Sequence, residues 1–252
     1  MSGVSPDPNA GLVGTPSDDV PAIGAEGDGA ITTLFVSMAK RHPTGADADY
    51  LRWHSLDHRP EQHRLAGVRA SLRVVSTPAC RAARAASHGP FDAVDHVMTY
   101  CFADRAGLDG FGRLSRALSG AGRVPFVLEP VQRGVYTVTS KVAAPHAKAG
   151  AAVLPWRPVR GVYLVIEPAG ATSTPLARLA GVAGVAGLWS GEAVATPYSS
   201  AEAGQRLTCG FLEDDPVAVA LRIKHVLDDL PRALLAAPFQ AVVPFEWDRY
   251  LP

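Results

Sequence analysis

The sequence predicts an α+β fold made of two units, each with the element order β-α-β-β-α-β. Strand-like and helix-like segments follow the same order in both halves of the 252-residue chain. The string LAGV recurs at the same point of each half, at residues 65–68 and 179–182, and YCFAD and CGFLED each end a strand with a Cys, a Phe and an acid. These recurrences indicate an internal duplication. Because the element order is common and LAGV is short, independent halves remain an alternative.

The elements of the first half follow from periodicity and breakers. Residues 31–38 (ITTLFVSM), 68–76, 91–104 and 131–142 are β-rich and predict strands. Residues 47–63 predict a helix with Asp47 or Asp49 as N-cap, and Pro60 is expected to end or kink it. Residues 77–90 are expected to form a loop, and 107–120 a second helix. This order is the ferredoxin-like arrangement.

The second half repeats the pattern after an Ala-, Pro- and Gly-rich segment, 143–159, that predicts a linker. Residues 161–168, 182–193, 205–214 and 239–247 predict strands. A short helix is expected at 174–181, and a longer amphipathic one at 216–230 begins with Pro216. The predicted domains are therefore 30–142 and 160–252, preceded by a disordered arm at 1–29 that is rich in Gly, Pro, Ser and Asp.

Composition excludes several classes of function. The 24 basic and 24 acidic side chains balance without a charged block, which argues against binding to nucleic acid or an anionic membrane. Cys80, Cys101 and Cys209 are odd in number and far apart, so we expect neither a disulfide framework nor a metal site built from them. Without an apolar signal segment at the N-terminus, a cytoplasmic location is expected.

The segment 40–67 carries the strongest functional signal. It places three histidines, a tryptophan and several acids on one predicted amphipathic helix. His54 and His58 are four residues apart and therefore project from the same face.

This segment resembles the start of EthD-like proteins of the dimeric α/β-barrel superfamily. The residues that carry the resemblance are Lys40, Arg41, Pro43, Tyr50, Trp53, His58, Pro60, Gly67 and Val68. Strand 91–104 extends the resemblance, which covers about residues 31–142. It implies that two ferredoxin-like units pack sheet to sheet, so that a tandem copy forms a pseudo-dimeric α/β barrel within one chain. A further homodimer is possible under this reading.

The resemblance also implies that His58 lies near a cavity and acts as a general acid or base. The alternative is that His58 braces the helix end beside Pro60. His54 is expected to assist His58 or bind substrate. A His-x3-His pair is also half of a metal site, but no further ligands are evident in the sequence, so neither metal nor cofactor is expected.

Other candidates lie on the strands and the helix face. His96 and Tyr100 share one face of strand 91–104, and alternation leaves open whether that face meets the helices or the barrel interior. His96 is a candidate catalytic residue, and Tyr100, Trp53 and Phe35 are candidates for binding a flat, apolar substrate. The alternative for His96 and Tyr100 is that they are hydrogen-bonded polar residues at a sheet interface. Asp57 is a further binding candidate, with a surface ion pair as the alternative.

These expectations combine into one functional hypothesis. The protein would be a cofactor-independent isomerase, cyclase or lyase that transfers protons on a hydrophobic carbonyl or polyketide-like compound in the barrel cavity. The alternatives are a monooxygenase, either cofactor-free or haem-dependent, and a non-catalytic small-molecule-binding protein. Because the second half lacks the histidine motif, one equipped site per chain is expected.

Overall fold

The computed structural model describes residues 7–14, 17, 30–171, 175–226 and 232–250. The first half contains strands β1 (Thr33–Ala39), β2 (Val68–Val75), β3 (Ala86–Ser87), β4 (His96–Phe102) and β5 (Pro130–Ala143). Its helices are α1 (Asp47–Trp53), α2 (Arg59–His63), α3 (Pro78–Ala82) and α4 (Gly107–Gly120), and a π-helical turn at His54–His58 joins α1 to α2.

The second half repeats the arrangement with shorter helices. Its strands are β6 (Gly161–Glu167), β7 (Val185–Ala193), β8 (Arg206–Leu212) and β9 (Leu235–Ala241). Its helices are α5 (Leu176–Ala180) and α6 (Pro216–Val226). The part of the predicted helix beyond residue 226 lies outside the described residues.

The strands form a closed, antiparallel barrel of eight strands. The first half contributes the order β2-β4-β1-β5 and the second half β7-β8-β6-β9. Each half therefore shows the same ferredoxin-like strand order, with its first strand between its third and fourth. The halves join where β5 pairs with β7 and where β2 pairs with β9. This topology confirms the predicted fold, a pseudo-dimeric α/β barrel of two ferredoxin-like units.

The barrel interior is filled with apolar side chains. Trp189, Tyr136 and Phe239 are fully buried there, packed among Leu, Val, Ile and Cys residues from both halves. The Trp189 indole donates a hydrogen bond to the Ala151 carbonyl, 2.7 Å away. The void left beside Cys101 measures only about 20 Å³. The barrel interior is therefore a core, and the expectation of a ligand cavity inside it does not match the structure.

Strand alternation divides β4 between this core and the helix layer. Val97 and Cys101 point into the barrel. Met98, Tyr100 and Phe102 pack on the opposite face, in a cluster that includes Leu108 of α4. Tyr100 therefore lies on the face of β4 that the helices cover and not on the face toward the barrel interior.

Three element predictions differ from the structure. The predicted loop 77–90 contains α3, whose Thr77 side chain accepts a hydrogen bond from the Cys80 amide (3.1 Å), and also contains β3. The start of predicted strand 91–104 is a 3₁₀ turn, so β4 begins at His96. The last strand runs over residues 235–241, ahead of the predicted 239–247, and Trp247 begins a 3₁₀ turn.

The segments outside the predicted domains also make specific contacts. In the predicted linker, Leu154 is fully buried in the barrel core. In the described part of the predicted arm, the buried Asn9 amide donates to the Glu213 carboxylate at 3.2 Å and accepts from Arg157 at 2.7 Å. Domain boundaries at 142 and 160 stay a prediction, and most of 1–29 lies outside the described residues.

Candidate active site

A cavity of about 300 Å³ lies outside the barrel, between the first half's sheet and its helices. Its aromatic walls come from the sheet, α1, α4 and the segment before β5: Phe35, Tyr50, Trp53, Tyr100, Phe111 and Phe126. His54, His58 and Arg73 also line it. The volume is at the lower end of what small-molecule sites occupy, and an aromatic wall with few polar groups is typical of such sites.

The two histidines that line the cavity lie at either end of a widened helical turn. The turn at His54–His58 is π-helical, and the Arg59 amide donates to the His54 carbonyl five residues back. Pro60 follows directly; it lacks an N–H group, and its ring crowds the preceding turn. The widened turn accommodates Pro60, so the helical path continues to His63 where a break or kink was expected. Single π turns occur frequently at functional sites.

The helix start also differs from the prediction. Ala46 is the N-cap residue, and no side chain caps the helix. Asp47 is buried and accepts a hydrogen bond from the His42 amide (2.9 Å), while Asp49 forms an exposed ion pair with Arg52 (3.1 Å). Neither acid therefore acts as the predicted cap.

His54 is a buried, neutral imidazole. It is only 5% exposed, and its Nδ1 atom has no hydrogen-bond partner among the described residues. Burial, followed by the charges of Arg73 and His58, lowers the pKa of His54 well below its ordinary 6.5. The ring is therefore available as an acceptor and not as a cation.

His58 lies beside His54, with a distance of 5.5 Å between ring centroids, and its ring packs at 5.0 Å from that of Trp53. Its Nε2 atom contacts the Gln62 amide nitrogen at 3.4 Å, and that nitrogen also donates to the Ser115 hydroxyl at 3.2 Å. Donation from Gln62 leaves the proton of the neutral ring on Nδ1, which has no partner. Burial lowers the pKa of His58, although the Asp57 charge opposes the shift.

Tyr100 adds a third polar group to the same cavity. Its hydroxyl is buried without a hydrogen-bond partner among the described residues, and burial raises its pKa. The phenol therefore stays protonated and can donate to an oxygen of a bound molecule.

Arg73 of β2 is the group that the sequence analysis missed. It is 4% exposed, and its guanidinium stacks over the Tyr50 ring, 4.7 Å from the centroid. Its Nη2 donates to His96 Nδ1 at 3.2 Å, while Nε has no partner among the described residues. The signal in the sequence was an arginine flanked by Leu72 and Val74 within β2. Recognising it requires knowing that helices cover that face.

His96 supports Arg73 but does not line the cavity. Its Nε2 donates to Asp47 Oδ1 at 2.7 Å, so its Nδ1 is free to accept from Arg73. Burial raises the pKa of Asp47, but the bonds from His96 and the His42 amide outweigh it, and the net shift is downward. His96 and Asp47 border a second cavity of about 270 Å³, near Arg41 and Trp247. The predicted direct role of His96 in the same site does not match this placement.

Asp57 lies away from the cavity in an ion pair at the protein surface. Its carboxylate is 2.9 Å from Arg123, which also contacts Glu61 at 2.9 Å. The Arg123 carbonyl in turn accepts from the Trp53 indole at 3.2 Å. These contacts fasten the segment that follows α4 across the cavity, where Phe126 and Val127 form part of its wall. Of the predicted residues, His54, His58, Trp53, Tyr100 and Phe35 share the cavity, whereas Asp57 and His96 do not.

Among the described residues of the second half, no equivalent set of histidines and arginine lies between sheet and helices. Its corresponding layer between sheet and helices is packed with apolar residues, including Val165, Leu179, Leu188 and Ile223. The three cysteines are buried and unbonded, and burial raises the pKa of Cys101 to about 12, so its thiol is inert.

Within the described residues, no cluster of three or more His, Cys, Asp or Glu side chains is arranged to hold a metal ion. Across the same residues, no helix combines the length and apolarity that a membrane crossing requires.

Several solved structures share similarity with this chain. An anthrone oxidase-like protein matches with a TM-score of 0.42 and 12% identity, covering 85% of this chain and 92% of that one. A protein described as a proposed chlorite dismutase matches with a TM-score of 0.47 and 9% identity over 85% and 96% of the two chains. A dye-decolorizing protein from V. cholerae matches with a TM-score of 0.44 and 11% identity over 84% and 94%.

No protein-family model and no curated protein match the sequence. The strand order and the closure of the barrel define the fold. The EthD-like resemblance stays a prediction.

Proposed function

We propose that the protein is a small-molecule enzyme that binds a flat, mainly apolar carbonyl compound in the helix–sheet cavity and transfers a proton on it. The observation that carries the proposal is the pair His54 and His58, two imidazoles of lowered pKa in one aromatic-walled cavity. Each has an Nδ1 atom without a hydrogen-bond partner among the described residues. A neutral imidazole is suited to general acid–base chemistry.

The roles follow from hydrogen bonding. His58 accepts the proton from the carbon next to the carbonyl at Nε2, in place of the hydrogen bond from Gln62, and returns it from Nε2 to another position of the same molecule, which is an isomerisation. The Tyr100 hydroxyl donates to the carbonyl oxygen and stabilises the enolate that forms between the two transfers. His54 is more deeply buried and stays neutral, so it places no positive charge beside His58.

Isotope exchange tests the proton transfer without knowledge of the natural substrate. The probe is 2-tetralone, a flat bicyclic ketone, and exchange of its α-protons in D₂O is followed by ¹H NMR. We expect saturable acceleration by the protein, reduced by roughly 100-fold or more in His58→Ala, as is typical for loss of a general base. The control is His63→Gln, because His63 is exposed and bonds Ser71 outside the cavity (2.7 Å).

Two results would count against the proposal. Equal exchange rates in the wild type and His58→Ala would show that His58 is not the general base. Saturable binding of 2-tetralone with no acceleration of exchange would favour the non-catalytic binding protein. A titration of the tryptophan fluorescence, to which Trp53 beside His58 contributes, measures that binding separately.

A further inference from the structure

The cavity carries positive charge without an acidic residue to balance it. Among its lining residues are two arginines, Arg73 and Arg133, and no aspartate or glutamate. Arg133 is exposed at the edge, whereas Arg73 is almost completely buried. A buried guanidinium is normally paired with a carboxylate, because removing its charge from water is costly.

The contacts of Arg73 do not supply that pair. No carboxylate of the described residues lies within ion-pair distance of it, and its one side-chain hydrogen bond goes to the neutral His96 ring at 3.2 Å. Asp47 reaches Arg73 only through His96, since it bonds the far nitrogen of the ring at 2.7 Å. The imidazole thus separates the acid from the guanidinium and leaves the Arg73 Nε–H without an acceptor.

The surroundings hold Arg73 in one position. The Tyr50 ring stacks on the guanidinium, and the same tyrosine packs edge-on to His96, with 5.4 Å between the ring centroids. A guanidinium fixed by an aromatic face on one side and an imidazole on another presents its remaining N–H groups in a fixed plane. A planar carboxylate matches such a donor set with two parallel hydrogen bonds.

We infer that the ligand of this cavity carries a carboxylate, which binds Arg73 while the apolar part of the molecule lies against the aromatic wall. This inference rests on the proposed function for the location of the site and narrows its substrate class to aromatic or polycyclic keto acids. The Asp47–His96 pair then acts as a positioning device for Arg73, and Arg73 is the residue that determines specificity.

A pair of inert probes tests the inference apart from any catalysis. They are 2-naphthoate and its neutral counterpart, methyl 2-naphthoate, and their dissociation constants are measured by calorimetry at pH 7.5. We expect the wild type to bind the carboxylate at least tenfold more tightly than the ester. Arg73→Gln should lose this preference and keep its affinity for the ester. Arg73→Lys should retain part of the preference, because a lysine keeps the charge but not the planar fork.

The matched control is Arg69→Gln. Arg69 lies on the same strand, β2, and is exposed, so its loss should leave the preference unchanged. If the wild type prefers the ester, binds neither probe at millimolar concentration, or keeps its preference in a folded Arg73→Gln variant, the inference is wrong. If Arg73→Gln does not fold, the carboxylate preference is compared between the wild type and Arg73→Lys, and an undiminished preference in Arg73→Lys contradicts the inference.

The two proposals fail in different experiments. A carboxylate preference that depends on Arg73, together with isotope exchange that does not depend on His58, would refute only the proposed proton transfer. Isotope exchange that depends on His58, together with no carboxylate preference that depends on Arg73, would support the proton transfer and refute the inference that the ligand carries a carboxylate.

Discussion

Replacing His54 by Phe should flatten the dependence of folding stability on pH. His54 is buried with an unpaired Nδ1, and its pKa is lowered first by burial and then by the Arg73 charge. The folded protein therefore holds this ring neutral, while the unfolded chain binds a proton on it below about pH 6.5. The neutral, buried His54 ring therefore costs no stability above about pH 6.5. As the pH falls below that value, stability is lost, because the unfolded state binds a proton on His54 that the folded state does not bind.

The size of the effect follows from the unfolded state alone. If the folded ring stays neutral, proton binding to unfolded His54 lowers the free energy of unfolding by about 1.4 kcal/mol at a pH roughly one unit below 6.5. At a pH one unit above, the same contribution is only about 0.1 kcal/mol. Between these conditions the free energy of unfolding of His54→Phe should therefore fall by about 1.4 kcal/mol less than that of the wild type. The pKa values of His58 and His96 are also lowered, so the variant keeps some pH dependence.

Urea denaturation at pH 7.5, 6.5 and 5.5, followed by circular dichroism, measures this difference. Comparing each protein with itself across pH cancels any change in packing that Phe introduces. His225→Gln is the control, since His225 is exposed near the end of α6 and should not alter the slope. The reasoning is refuted if His54→Phe and the wild type lose the same free energy between pH 7.5 and 5.5.

Three further changes test other contacts. Arg73→Gln should raise the pKa of His58, because the Arg73 charge disfavours its protonation; an NMR titration of the ring protons checks this, and an unchanged value contradicts it. Arg123→Gln removes the ion pairs that fasten the segment over the cavity, so 2-naphthoate should dissociate faster in stopped-flow measurements. Gly161→Ala would place a Cβ 2.1 Å from the Phe239 carbonyl oxygen, so we expect the free energy of unfolding, measured by urea denaturation, to fall by roughly 1–3 kcal/mol. An unchanged free energy of unfolding would mean that the strands move apart at little cost.

The sequence predicted most of the fold because its patterns are local. Helix α4 has the predicted bounds, 107–120, since its amphipathic period is uninterrupted. The last strand was misplaced because Pro238 and two preceding alanines give residues 235–241 a weak strand signal, yet pairing with β6 makes them a strand. Helix α3 was missed although Thr77 and Pro78 form a start signal, a capping residue followed by proline.

The site was predictable only in part, for a related reason. His54, His58 and Trp53 belong to one helical segment, so spacing alone placed them together. The grouping with Arg73 depends on how that segment crosses the sheet, which no local pattern encodes. The separation of His96 from the cavity depends on Asp47, a residue 49 positions away that looked like a helix cap.

Strand β1 contributes alternate residues to the packed barrel interior and to the helix–sheet cavity. Along β1, Leu34, Val36 and Met38 fill the core, and the alternate residues Phe35 and Ser37 line the helix–sheet cavity. Changes at odd-numbered positions of this strand can alter what the cavity accepts while the even-numbered positions keep the barrel closed. Alternate residues of this seven-residue strand therefore determine the lining of the cavity and the packing of the core. A library that varies only the odd-numbered positions of β1 should yield folded proteins with new ligand selectivity.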